Sequence, residues 1–241
     1  MNINLVSTTF GAVISFLDSQ HVRYVRGGVT LDATAVTADG SGIKKLPAGT
    51  FIGKQGNGKY AKYTAAVAAS LITGVEGSNN AILWTAKNGG TGGNSIKIQL
   101  KNPGAASQPL KVTIESDTVV VSLATDAGSA ITSTAAQVIS TVNSALYVKD
   151  IITAANSGAS SGTGVVAAVA ATALAGAADA NVTPTAILAE EVIFTIFTTS
   201  GGVAHADRIA TAIDHGRVIS SRLPVAPDSV VKANIPDVSF V

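Results

Sequence analysis

Between residues 95 and 123 apolar and polar side chains alternate with a regularity that leaves few options for the backbone. Ile96, Ile98 and Leu100, then Leu110, Val112 and Ile114, are interleaved with Lys97, Gln99, Lys111 and Thr113. A period of two places the apolar set on one face of a strand and the polar set on the other. Strands are predicted over residues 81–87, 95–101, 110–115 and 118–123, the last two joined by a two-residue turn at Ser116 and Asp117. The apolar face needs a cover, and the chain supplies one next. Thr134 and Gln137 have capping-box spacing, and Ala135, Val138, Ile139, Val142 and Leu146 make one helical stripe. Residues 150–155 and 165–174, separated by a flexible serine and glycine linker over 157–164, are expected to complete the same sheet. Residues 77–183 therefore read as an α+β domain with its own core.

The flanking segments have a different texture. Residues 46–63, LPAGTFIGKQGNGKYAKY, read as two short strands: Thr50, Phe51 and Ile52 follow a Pro47-Ala48-Gly49 bend, Gly56-Asn57-Gly58 reverses the chain, and residues 59–63 run back. Residues 29–36 alternate and end in the turn cluster 38–42. Residues 64–80 suit helix or strand and close in a loop over 76–80. Residues 186–199 are strongly β-prone. Residues 205–225 suit either a short helix or a strand bent at Gly216. Residues 228–241 read as an edge or exchanged strand interrupted by Pro236. Residues 1–26 lack any sustained period, and two readings compete: a first strand on its own domain, or an extended arm that orders against a neighbour.

Charge and residue usage narrow the chemistry. The formal net charge is +1 and only 13% of residues are charged, so no basic field exists to recruit nucleic acid or anionic lipid. Cysteine is absent, which excludes disulfides and thiol chemistry. The longest apolar run, residues 165–178, is too short to cross a bilayer, so no membrane partner is expected. The three histidines, His21, His205 and His215, have no ligand spacing, and no metal, cofactor or catalytic residue is assigned. Asp214 beside His215 lacks a G-x-S-x-G elbow, so the pair reads as a strand-end turn. Residues 56–59 and 89–94 are glycine-rich without a phosphate-loop layout, and read as turns. Asp179 with Asn181 fits a weak calcium site or an ordinary boundary loop. Trp84 and Tyr147 fit a core or a sugar-stacking platform. Arg217 and Arg222 fit ion pairs with an adjacent subunit or a solvated face.

The outer segments resemble the head decoration proteins of lambda-like tailed phages. The likeness rests on Leu46-Pro47-Ala48-Gly49-Thr50, Ile52-Gly53-Lys54, Gly58-Lys59-Tyr60 with Tyr63, then Ile187-Leu188-Ala189-Glu190-Glu191-Val192, and His215-Gly216-Arg217-Val218 with Leu223-Pro224. The family pattern runs AGT, LGK, GKY, then GILxEDV and xHGxV without a long gap. Here more than a hundred residues intervene, so the resemblance implies a small β-rich decoration domain, β-tulip or barrel-like, over 27–76 and 184–241. The α+β domain at 77–183 is then an insert, itself similar to domains recurring in phage tail and surface proteins.

With that resemblance, residues 1–26 are placed by position alone as the capsid-binding arm. The chain would be a non-enzymatic homotrimer on the outer surface of the virion head, bound to the major capsid protein and stabilising the shell without covalent chemistry. The insert would face outward, as inert bulk or as a weak adhesin for host-surface glycans. Two other classes stay open: a tail or baseplate structural protein, and a glycan-binding or glycan-hydrolysing surface protein.

Overall fold

A computed structural model describes residues 16–18, 21–199 and 202–241. The protein is mainly β, with an α+β portion, and divides into two compact units: Met1–Thr64 with Asn181–Val241, and Ala65–Ala180. The first boundary falls at Thr64 rather than at residue 77, because the segment that suited helix or strand becomes a strand paired inside the second unit. In chain order the first unit begins with β1 (Arg23–Tyr24), β2 (Val29–Leu31), β3 (Lys45–Leu46), β4 (Phe51–Lys54) and β5 (Tyr60–Lys62). The second unit holds β6 (Ala68–Thr73), β7 (Ile82–Gly89), β8 (Lys97–Lys101), β9 (Lys111–Glu115), β10 (Thr118–Ser122), α1 (Ala135–Ser144), β11 (Ile152–Asn156) and β12 (Val169–Ala173). The first unit then resumes with β13 (Ala186–Leu188), β14 (Val192–Ile193), β15 (Ile196–Thr199), β16 (Gly202–His205), β17 (Arg208–Ala210), β18 (Ala212–Val218), α2 (Ser229–Asn234) and β19 (Val238–Phe240).

The main sheet of the first unit runs β1-β18-β13-β4-β5-β2-β17, with β19 parallel to the second half of β18. Ile187 of β13 sits between Phe51 of β4 and Ile213 of β18, while Ala186 faces Ile52 and Leu188 faces Ala212. Alternation therefore sends Ile52, Ala186, Leu188 and Ala212 to one side and Phe51, Ile187 and Ile213 to the other. Both sides are buried. The first packs with Leu31, Leu46, Val192 and Phe194; on the second, the Phe51 ring meets Phe240 edge-on at 6.0 Å. Double burial explains why residues 186–188 are continuously apolar. β17, at the far end of the path, joins β18 through Thr211 alone, so the sheet rolls; among the described residues no ladder links those two strands.

Several expectations for these segments change. The run 186–199 is three short strands, β14 pairing with β3 and β15 with β16. The ambiguous residues 205–225 resolve as β17 and β18, and Gly216, at φ 146°, marks where β18 exchanges β1 and β13 for β19. The tail is not one strand: the Asp228 side chain accepts the Val231 N–H at 2.7 Å, capping α2, and Pro236 follows the helix end. Phe16 is only 3% exposed, Leu17 bridges Val218, and β1 pairs with β18. Residues 16–18 and 21–26 thus pack on their own unit, which corrects the arm expectation for them; residues 1–15 lie outside the described residues.

The second unit is built from two sheets, not one. β12-β8-β10-β9 holds the alternating strands, and β11-β7-β6 stands apart from it, because β7 pairs with β11 on one side and with β6 on the other. Ile98, Leu100, Val119 and Val121 share one core with Trp84, Ile152 and the α1 stripe of Ala135, Val138 and Val142. The capping box forms as the sequence predicts. Leu146 leaves the stripe, 73% exposed, because the helix ends at Ser144. Residues 157–164 are tied down rather than flexible: Gly164 and Gly162 carbonyls accept the N–H groups of Ala135 and Ala136 at the helix start. The ends of this unit are clasped by the bridge between Val67 and Ala178.

Candidate functional site

The tip of the β4–β5 hairpin carries a cluster of polar contacts. Gln55 and Lys59 close the turn, the Gln55 N–H donating to the Lys59 carbonyl at 2.8 Å. Asn57 Nδ2 donates to Asp32 Oδ2 at 3.0 Å, and Lys59 Nζ meets Asp207 Oδ2 at 2.6 Å. Asp32 is 4% exposed and also accepts the Thr34 hydroxyl at 2.6 Å and its N–H at 2.9 Å. Asp207 accepts the Ala33 N–H at 2.9 Å. The Thr34 hydroxyl holds the Asp32 carboxyl below the ordinary range in spite of burial, and Lys59 lowers Asp207. The cluster is an electrostatic latch between the hairpin, the turn after β2 and the segment before β17.

Two carboxyls lowered in the folded state stabilise it above their unfolded value, near 4, and that contribution is lost as pH falls through the folded values. Asp32→Ala, which strands the Asn57 amide and both Thr34 donors, is expected to cost about 2 kcal/mol at neutral pH. The gap to the parent protein should narrow below pH ~4. A gap that stays constant down to pH 2 in thermal melts would show that the charge is not the cause.

A second cluster runs along β18. Arg23 Nε meets Asp214 Oδ1 at 2.8 Å and Arg23 Nη2 meets Asp237 Oδ2 at 3.0 Å, while Arg217 Nε meets Asp18 Oδ2 at 2.9 Å. His21 and His215 lie edge to face at 5.1 Å between ring centroids. Arg217 is therefore engaged within its own chain. Asp214 is committed to Arg23 and does not orient His215 as a catalytic relay would require. These contacts hold Asp18, His21 and Arg23 against β18, the strand that pairs with the C-terminal β19.

The other sequence candidates separate by role. Trp84 is 0% exposed and its indole N–H donates to the Thr73 hydroxyl at 2.9 Å, which makes it core. Tyr147 is 77% exposed, with φ 68°. In the glycine-rich loop Asp179 accepts the Thr91 N–H and hydroxyl, both at 2.8 Å, and the N–H in particular holds its carboxyl low. The Thr91 N–H of this loop is thus already taken by a carboxylate of the chain itself. In the other unit the Asn181 side-chain oxygen accepts the Thr64 N–H and its amide donates to the Lys62 carbonyl. His205 contacts the Gly42 carbonyl at 3.1 Å, and Arg222 ends a short 3-10 turn. Among the described residues no three His, Asp or Glu side chains gather as a metal site would need, and no helix is long and apolar enough to cross a membrane.

No protein-family model, no curated protein and no solved structure matches this chain.

Sequence reading missed Asp32, Asp207 and the pair Tyr63–Asp228. The Tyr63 phenol is pushed up to about 12, by burial first and then by its 2.9 Å hydrogen bond to Asp228. Asp32-Ala33-Thr34 carries a local signal, an acceptor two residues before a donor. The partners of Asp207 and Tyr63 are more than a hundred residues distant and carry none.

Proposed function

We propose that the protein is a structural component of a tailed-phage particle that adds to the outside of an assembled head. One observation supports this reading above others. The strands that carry Ile52-Gly53-Lys54, Ile187-Leu188 and His215-Gly216-Arg217-Val218, of which the first is more than a hundred residues from the others, lie side by side in one sheet as β4, β13 and β18. Phe51 pairs with Ile187 and Ile187 with Ile213, the Gly49 N–H donates to Leu188, and the Ala189 N–H donates to Thr211. A chance set of short motifs carries no such requirement. On this reading the first unit forms the ring of three, each subunit meets the major capsid protein, and the second unit is the outward insert; no reaction is assigned.

Three weak contacts on one rigid ring gain effective concentration, so the assembly can hold although each contact is weak, by a factor on the order of 10². The capsid-binding role is assigned to residues 1–15, since Phe16 and β1 belong to the fold. A chain beginning at Phe16 is expected to keep its oligomeric mass and lose co-sedimentation with undecorated expanded heads. Normal decoration by that chain would remove the arm, and a sixfold or tube-forming mass for the full chain would move the protein to the tail or baseplate. Removing residues 1–26 is a poorer test, because it also strips Phe16, Asp18 and Arg23 from β18.

A further inference from the structure

The four-stranded sheet of the second unit ends in β12 on one side and β9 on the other. β11 is covered: Asn143 of α1 accepts the Ala154 N–H at 2.9 Å and donates to its carbonyl at 2.7 Å. β12, though also largely exposed, is irregular, with a register shift between Val169 and Thr172, and β6 is bridged through Ser70 to Ala175, with Val67 just before it bridged to Ala178. β9 pairs with β10 alone, through an unbroken register, and four of its five residues are exposed, Ile114 at 38%. Natural sheets cover, bulge or twist such edges to keep other strands away.

The turn at Ser116 and Asp117 fixes which backbone groups are free. Glu115 and Thr118 flank a two-residue loop, so Glu115, Thr113 and Lys111 exchange hydrogen bonds with β10. The N–H and carbonyl groups of Val112 and Ile114 then point away from it. The side chains divide the same way: Val112 and Ile114 lie on the core face, Lys111, Thr113 and Glu115 on the outer face. Lys111 and Glu115 are both exposed.

We propose that β9 is a self-pairing edge that takes β9 of a second copy, antiparallel, about a twofold axis through Thr113. The sequence Lys-Val-Thr-Ile-Glu is complementary to its own reverse. In that register Lys111 faces Glu115 of the second copy and Val112 faces its Ile114, twice each by symmetry. The facing Val112 and Ile114 are the residues with free backbone groups, so four N–H to carbonyl bonds form without any change in β9. The half-exposed Ile114 is covered at the same time. Reversed or shifted registers lose the charge match, and parallel pairing sets Lys111 against Lys111.

Sedimentation equilibrium of the full chain tests this, and does so whatever the mass of the starting particle, so it stands apart from the capsid reading. The expected result is a concentration-dependent doubling of that mass. Lys111→Glu alone and Glu115→Lys alone each turn two attractive pairs into repulsive ones, weakening the doubling on the order of tenfold. The double variant Lys111→Glu with Glu115→Lys restores the match and should recover the parental value. No doubling by the parent chain overturns the proposal, as do single variants that pair normally. A double variant that is folded by circular dichroism but does not recover overturns it as well.

Discussion

Replacing Gly53 by alanine is expected to lower the stability of the first unit by roughly 3 kcal/mol or more, among the largest effects of any single methyl group in the chain. Gly53 sits in β4 opposite Ala61, where the segment entering β13 passes over it. A β-carbon there would lie 2.8 Å from the carbonyl carbon of Thr183, closer still to its oxygen, and 2.9 Å from Cγ2 of Val182. The obstacle is mainly backbone, which cannot swing away as a long side chain can. Relief requires β13 to retreat from β4, and β13 carries Ile187 and Leu188, both 0% exposed. This close approach gives the glycine in Ile52-Gly53-Lys54 a physical reason. Circular dichroism should show an early transition. The fluorescence of Trp84, the single tryptophan, reports on the other unit and should melt at the parental temperature. A parallel fall of both signals would show that the two cores melt as one.

Trp84→Ala is the counterpart in the second unit. It removes a side chain with no exposed surface from the centre of its core and leaves the Thr73 hydroxyl, itself buried, without its donor. Truncation of a buried aromatic costs about 3–5 kcal/mol, and the stranded hydroxyl adds to that. Calorimetry should register a fall of roughly 20 °C in the transition of the second unit, with the first unaltered. A fall under about 5 °C would mean that neighbours collapse into the space, contrary to the packing density of such cores.

What could be read in the sequence was what neighbours along the chain decide. The alternation at 96–100 and 110–114 and the Thr134–Gln137 box are local, and both formed. The separation of the second unit into two sheets was not legible, since β7 chooses between β8 and β11 by contacts far along the chain. The serine and glycine run 157–164 looked flexible because its order comes from Asn79, Ala81 and the start of α1, none of them nearby. In α2 a local signal existed, Asp228 as a cap and Lys232 in the last turn. The β-branched pair Val230-Val231 masked it. Of the polar clusters, the Asp32 turn was within reach; the ion pairs to Asp207 and Asp214 depend on the roll of a sheet that no short window encodes.

The clasp between Val67 and Ala178 bears on how the chain reaches its final state. Residues 65–180 are contiguous and can finish folding while the last sixty-one residues, 181–241, are still unmade. Once the clasp closes, the remaining unit no longer has to bring β4 and β13 together across a loose loop of 116 residues, counting from 65 to 180. It meets instead a connector only a few residues long at each side. Shortening an open loop by that ratio removes about 3 kcal/mol of closure entropy. The insert thus serves its host as a splint, and the order of synthesis favours setting the splint first.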